Sequence, residues 1–544
     1  MSDDDDGLDV LLIGIDAGCL SVFDELEERD TTPTLSRIRE ESAMGPLRSQ
    51  IPPWTPSAWP SLYTGVNPGK HGVFGFVSYD GYDWHVSRAD HIDEPTMWEM
   101  LDQNDVSSVV VNAPVTHPPP AIDGAVVPGF IGPENPRCHP EGTLDEIRRE
   151  IGEYRVYPEY SRGDENWTDE EKMEEYTSLV RMRSEAFQYL VDKHKPDFGF
   201  VQFQKTDTVF HEFEGDWDKV HQVYAEADKQ IEQILEETNP DTVFIASDHG
   251  MGEYDAYEFR VNDYLHDEGF VEVTNGGKGM PSWNPIRNEL REGKDVDSWE
   301  PGMAEKLASA AAKMGLTATR IRKGLEKVKL DQVAMRYAPE DVARTGNKQV
   351  SFPDSIAYLR SRTELGVRLN VEGRDPEGVV AQEDYDDVRA EVIESLRGVT
   401  DPDGNPVFDE VVPRERYFEG DHVDEAVDIV TIPRNMNYFL SDQIRDEYFA
   451  PPTEPYNHKL DGVVAAFGEG VDETASIEGA HLFDVAPTIM SALGVPYNEK
   501  TDGKTLPVVE DIGARAYRSK GIDEKTQSPE EAVESRLSDL GYLE

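Results

Sequence analysis

Six side chains in this sequence have the types and spacings that hold metal ions, and a seventh stands where an oxygen nucleophile would. Asp16 closes the apolar run DVLLIGID at 9–16. Asp207 and His211 form a D-x-x-x-H pair in QKTDTVFHEF, a spacing that puts both on one face of a helical turn. Asp248 and His249 follow the run TVFIAS, and His458 lies in PYNHKLDG just before another apolar run. Carboxylates and imidazoles are hard and borderline donors that suit zinc, with manganese or iron as alternatives. Six of them divide into two trios, so the expectation is two divalent ions, an arrangement that supports phosphoryl transfer beside an oxygen nucleophile.

The candidate nucleophile is Thr55 in IPPWTPSAWPSLYTG. Proline is favoured at the first helical position and threonine at the cap before it, so Thr55 reads equally as a plain helix cap. The same geometry sets a hydroxyl at a helix N-terminus, where free N–H groups favour an anion. Ser57, Ser61 and Thr64 are competing hydroxyls that the sequence leaves open. Asn112, Lys205 and Lys459 lie beside the motifs as polar groups that would contact a substrate, whereas Lys70 and His71 follow the turn sequence N-P-G and read as structural.

These residues need strand ends to hold them. Short apolar runs at 9–16, 107–111, 198–203, 242–246 and 463–467 alternate with helical stretches such as 169–194 and 217–237. That alternation predicts an α/β fold with a doubly wound, mostly parallel sheet flanked by helices, whose ligands sit at the carboxyl ends of the strands. The expected organisation is a core over 1–275, a mainly helical insertion or cap over 276–349, a core return over 350–515 with a small α/β unit at 370–421, and a charged tail at 516–544. Inside the insertion, Leu307, Ala311, Met314, Ala318, Ile321, Leu325 and Val328 follow a helical stripe opposite a basic face, which reads as a solvated cover or as a lid for an anionic substrate.

Composition narrows the function. Lysine and arginine number 52 against 110 aspartate and glutamate, a formal charge of −58 that opposes binding to nucleic acid or to an anionic membrane. Eight Trp, 22 Tyr and 20 Phe supply the core that a disordered acidic chain lacks. Acidity spread along the whole length reads as a halophilic, archaeal type of surface suited to a high-salt cytoplasm. Two cysteines describe a reducing compartment. No apolar run approaches the roughly 18 residues of a membrane span, and the acidic start MSDDDDG leaves no room for a signal peptide, so a cytoplasmic location is expected.

Taken together, LIGIDAG with Asp16, Thr55 ten residues before the end of SLYTG, NPGKHG at 67–72, the Asp207–His211 pair, SDHGM at 247–251 and His458 resemble the alkaline phosphatase superfamily, in its type I phosphodiesterase/nucleotide pyrophosphatase branch. VNAPVTHPPP at 111–120, LNVEGRDPEGVV at 369–380, and FDVAPTIMSALGVP with the DGK at 502–504 extend the resemblance over about 9–510. It implies that Asp207, His211 and His458 hold one ion and that Asp16, Asp248 and His249 hold the other beside Thr55, the pair being commonly zinc. It also implies attack by Thr55 on phosphorus of a small-molecule phosphate ester, a phospho-enzyme intermediate, and hydrolysis of that intermediate by water. The resembled enzymes place an asparagine where this chain has Phe76, which leaves the substrate open. No arginine clamp for a monoester is identifiable, which favours phosphodiester or pyrophosphate bonds. A phosphomonoesterase, a phosphoglycerate-mutase-like phosphotransferase and a non-catalytic, metal-stabilised binding protein are the alternatives. Neither cysteine lies in the C-x-P-x-R context of a sulfatase.

Overall fold

The computed structural model describes residues 8–160, 166–275, 283–293 and 348–518. An eight-stranded sheet forms its centre. In chain order its strands are β1 (Val10–Ile15), β2 (Ala43–Arg48), β3 (Ser108–Val111), β4 (Gly124–Val127), β5 (Phe198–Phe203), β6 (Thr242–Ala246), β7 (Asp461–Gly468) and β8 (Ala480–His481), and across the sheet they run β8-β2-β7-β6-β1-β5-β3-β4. The five strands from β6 to β4 pair in parallel, while β7 is antiparallel to both β6 and β2. This is the expected α/β class. The strand β2 was not foreseen, because AMGPLR carries a proline that argues against a strand.

Strands buried on both faces read as continuous apolar runs, and β1 sends alternate side chains to opposite layers. Leu11, Ile13 and Ile15 pack with Tyr176, Phe187 and Leu190 of the helix Asp169–His194 and with Tyr224 and Ile231 of the helix Trp217–Thr238. Val10 and Leu12 pack on the other side with Trp59 and Leu62 of the helix Thr55–Thr64, with Trp98, and with Ile489. The long helix Asp169–His194 opens on a capping box, Thr168 with Glu171, which satisfies two of its orphan N–H groups.

A third core lies in a separate four-stranded sheet formed by Ala357–Tyr358, Gly366–Leu369, Phe408–Pro413 and Ile429–Pro433, covered by the helix Tyr385–Arg397. That sheet reaches beyond 370–421 on both sides. Within 276–349, the helix Trp283–Arg291 docks through buried Leu290 and through Arg291 on the Glu159 carbonyl. The stripe at 307–328 and the residues after 518 lie outside the described residues. Among the described residues no helix is long and apolar enough to cross a membrane.

Candidate metal centre

The sheet topology explains why residues far apart in sequence meet. Asp16, Asp248 and the helix Lys205–Phe213 all follow the carboxyl ends of parallel strands β1, β6 and β5. His458 precedes β7, and since β7 runs antiparallel its beginning lies at that same edge. A two-stranded ribbon then pairs His458 with Met251 and lays the His458 ring over His249, with centroids 3.7 Å apart.

Two groups of donors result. Asp207 Oδ1 lies 3.2 Å from His211 Nε2 and 3.3 Å from His458 Nε2, and the two imidazole nitrogens are 3.0 Å apart. His249 Nε2 lies 3.1 Å from Asp248 Oδ2 and 3.6 Å from Asp16 Oδ1. His249 also comes within 4.8 Å of Asp207 and His458, so it stands between the groups. Each Nε2 is presented by what its Nδ1 faces: the Pro53 carbonyl for His458, the Gly250 carbonyl for His249, and Glu454 at 3.6 Å for His211. Holding Nδ1 in this way orients an imidazole to offer Nε2 as a ligand.

The donors of the two groups crowd one another electrostatically. Burial, then the Asp248 and Asp207 carboxylates, push Asp16 well above the usual carboxylate range. Burial and the neighbouring His249 hold His458 down to about 4. Beyond those imidazole contacts, Asp207 Oδ1 and Asp248 Oδ2 are buried with no hydrogen-bond partner among the described residues. Carboxylate and imidazole lone pairs converging on one buried space are a donor set that fits divalent cations.

Thr55 sits against this set, but not as the expected cap. Trp54 has the extended backbone of the cap, Thr55 is the first helical residue, and its Oγ1 lies 3.4 Å from Asp16 Oδ1 and 3.3 Å from His249 Nε2. The competing hydroxyls are spent elsewhere. Ser57 donates to the Pro52 and Trp54 carbonyls, Ser61 meets His71 Nε2, and Thr64 donates to the Pro60 carbonyl.

Two residues that hold Asp16 escaped the sequence reading. Gln202 Nε2 and Trp59 Nε1 donate to Asp16 Oδ2 at 2.7 and 3.3 Å. Gly14 makes room for the Trp59 ring, since a Cβ there would stand 2.6 Å from Trp59 Cη2. A glutamine inside the buried strand FGFVQF was the available signal, because a buried amide must find partners. Asn112 sits behind this pair; its amide donates to the Gln202 side chain and carbonyl at 2.7 and 2.9 Å, and it does not line the cavity beside Thr55.

That cavity, of about 180 Å³, opens between the sheet edge and the second sheet unit, with Phe76, Phe130 and Tyr157 on one wall and Tyr438 and Phe439 on another. Lys205 and Arg287 line it as well. Burial, with Arg287 and Arg183 nearby, holds the Lys205 ammonium well below the ordinary lysine range. Lys459 is occupied by Asn437 and the Met436 carbonyl, and Lys70 by Glu419 and Asp502.

Comparison with known proteins shows the family and the fold. Residues 10–463 match the family described as type I phosphodiesterase/nucleotide pyrophosphatase. Phosphonoacetate hydrolase from Sinorhizobium meliloti 1021, solved with phosphonoformate, is similar at 15% identity and a TM-score of 0.51, covering 88% of this chain and 94% of that one. Wild-type alkaline phosphatase PafA is similar at 13% identity and a TM-score of 0.51, over 92% of this chain and 99% of that one. At such identities the likeness concerns the fold. No curated protein matches the chain.

Proposed function

The chain belongs to the type I phosphodiesterase/nucleotide pyrophosphatase family, and from that premise we propose that it hydrolyses phosphodiester or pyrophosphate bonds of small molecules with Thr55 as nucleophile. Metal-dependent phosphoester hydrolysis is the family's chemistry; the residue roles are our assignment. The observation that carries it is the approach of Thr55 Oγ1 to Asp16 and His249 from the first turn of a helix. A hydroxyl so placed is spared from capping and aimed at a metal-ligand set.

Asp207, His211 and His458 would hold one ion, and Asp16, Asp248 and His249 the other, zinc being the first choice for this donor set. When bound, two such ions supply Lewis-acid stabilisation of an alkoxide and of a leaving oxygen. Thr55 Oγ attacks phosphorus in line, the bond to the leaving oxygen breaks, and the hydroxyl proton leaves with that oxygen or to solvent. Water then attacks the phosphothreonine, restores the Thr55 hydroxyl and releases the phosphoryl product. Burial of the centre limits competing solvent chemistry, and Gln202 and Trp59 keep Asp16 in one orientation.

Phe76, at the place where the resembled enzymes carry an asparagine, lines the cavity, so the wall here is apolar. The docked helix Trp283–Arg291, with Arg287 at the cavity, would form part of a cap on a core made of 1–275 and 350–515; residues 276–282 and 294–347 of that expected cap lie outside the described residues. A net charge of −58 supports a cytoplasmic, high-salt setting.

The test is Thr55→Ala in protein purified with its metals, assayed on bis-p-nitrophenyl phosphate and p-nitrophenyl phosphate. Turnover should fall at least about a thousandfold, near 4 kcal/mol of barrier, with metal content and melting temperature unchanged. Acid-quenched wild type should carry phosphothreonine. Turnover kept in the alanine variant would remove Thr55 from the mechanism, and two bound metals with no cleavage of either ester would favour the mutase-like or binding-protein alternatives.

A further inference from the structure

The cavity beside Thr55 holds two basic side chains, Lys205 and Arg287, that no carboxylate of the described residues pairs. With 110 acidic side chains to 52 basic ones, a cation in this chain has carboxylates to choose from. Buried and half-buried arginines elsewhere take them: Arg155 pairs with Glu175, Arg360 with Glu364 and Arg374 with Asp428. Lys205 and Arg287 do not. Both line the cavity, Lys205 is only 6% exposed, and among the described residues neither forms an ion pair with a carboxylate. Lys205 Nζ donates to Gln204 Oε1 at 2.6 Å and lies 5.5 Å from the Tyr176 ring centroid, so one of its three protons is accounted for by a hydrogen bond. Arg183, buried close by, spends its guanidinium on the Arg155 and Val156 carbonyls and also lacks a carboxylate partner among the described residues.

Burying an amine or a guanidinium with no counter-charge is costly, and a methionine would fill the space of Lys205 without that cost. An arriving anion supplies the counter-charge that both side chains lack among the described residues.

The geometry points to a second anion subsite, in which Lys205 and Arg287 receive a phosphate or carboxylate group carried on the arm of the ester away from the reacting phosphorus. The substrate is then an ester with at least two anionic centres. Arginine supplies a fork for a bidentate anion and lysine a point charge. Phe76, Phe130 and Tyr157 line the same cavity and suit an apolar or planar spacer between the two anions. This inference rests on the proposed role of Thr55 and the two metal trios, because they set where the reacting phosphoryl lies.

The test separates the subsite from the chemistry. Binding of 1,4-phenylenediphosphonate and of phenylphosphonate is measured by calorimetry on metal-loaded protein at fixed ionic strength, for wild type, Lys205→Met and Arg287→Gln. The wild type should prefer the diphosphonate by about tenfold or more, and each variant should shrink that ratio toward one. A preference kept in both variants, or none in the wild type, overturns the subsite. An equal loss on both probes also overturns it, since the two cations would then hold the reacting phosphoryl itself. Arg287 is itself half-buried on the helix Trp283–Arg291, so its variant reads out even where the buried Lys205→Met protein fails to fold. Hydrolysis of 4-nitrophenyl 4-carboxyphenyl phosphate against its methyl ester is measured in parallel. If neither ester turns over but the binding ratio behaves as stated, the hydrolase reading falls and the subsite stands. If both turn over at equal kcat/KM and the ratio is flat, the subsite falls and the hydrolase reading stands. Replacing the phosphonate arm by carboxylate tells the two anion types apart.

Discussion

His211 Nε2 and His458 Nε2 stand 3.0 Å apart although 247 residues separate them in the chain. Both nitrogens also face Asp207 Oδ1. Two lone pairs at that distance repel unless a proton or a cation lies between them, and a divalent ion resolves the three contacts together. Chelation should therefore destabilise the fold. Because a ligand bound only by the native state adds about 2.7 kcal/mol at a hundredfold excess over its Kd, EDTA should lower the melting temperature by several degrees and zinc should restore it. A thermal scan unchanged by chelator and by zinc would sink the metal assignment.

A second prediction concerns groups that touch no ion. Asn112 holds Gln202, and Gln202 holds Asp16 Oδ2 at 2.7 Å, so a hydrogen-bonded chain fixes the carboxylate that faces Thr55. Outer partners of this kind typically change metal affinity by about ten- to a hundredfold. Gln202→Leu should weaken the ion at Asp16, Asp248 and His249 while leaving the one at Asp207, His211 and His458, giving one tight and one weak site in a zinc titration. Two equally tight sites in that variant would show that Gln202 serves packing alone.

How much of this could be read from the chain follows from how local each signal is. Asp207 and His211 share a helical turn, and Asp16 ends an apolar run, so both were legible from spacing. The five apolar runs became strands β1, β3, β5, β6 and β7 within a residue or two at each end. Thr55 was ambiguous because cap and nucleophile ask for the same residue at the same place; only the position of Asp16 and His249 separates the two. Asp16 meets Trp59 and Gln202 across 43 and 186 residues, so those contacts belong to the topology and leave no local trace. Arg287 is similar: in sequence it is one charge in a polar stretch, and only docking of its helix brings it to the cavity.

A third prediction follows from charge. A net −58 is repulsive at every distance within the screening length, which shrinks from about 10 Å at 0.1 M salt to about 3 Å at 1 M. Some acidic side chains are already paired, as Arg39 with Asp24 and Glu27, but acids outnumber bases about two to one. Melting temperature should rise steadily from dilute buffer to molar KCl, and NaCl should act alike. A flat or falling curve would show that the acidic surface is not held apart by self-repulsion.

The fourth prediction is a pH effect on stability, and it rests on a histidine outside the metal centre. His71 is fully buried, its Nδ1 accepts the Val73 N–H at 3.1 Å, and its Nε2 meets Ser61 Oγ at 2.8 Å. Accepting at Nδ1 makes the ring a neutral Nε2–H tautomer that donates to Ser61. Burial, with His422 nearby, holds its pKa down to about 3, against ~6.5 for a free imidazole. The unfolded chain therefore binds a proton here that the native state refuses. Its contribution is fully present above pH ~6.5 and is lost as pH falls from there toward 3, by about 2 kcal/mol between pH 7 and pH 5. In His71→Gln, which keeps a donor near Ser61 but cannot titrate, the stability difference between pH 7 and pH 5 should be smaller than in wild type by about that amount. Protonation of the metal ligands acts in both proteins and cancels in the comparison. Denaturant titrations at the two pH values measure it, and an equal pH dependence in both proteins would mean that His71 is charged in the native state, against the tautomer that its two hydrogen bonds require.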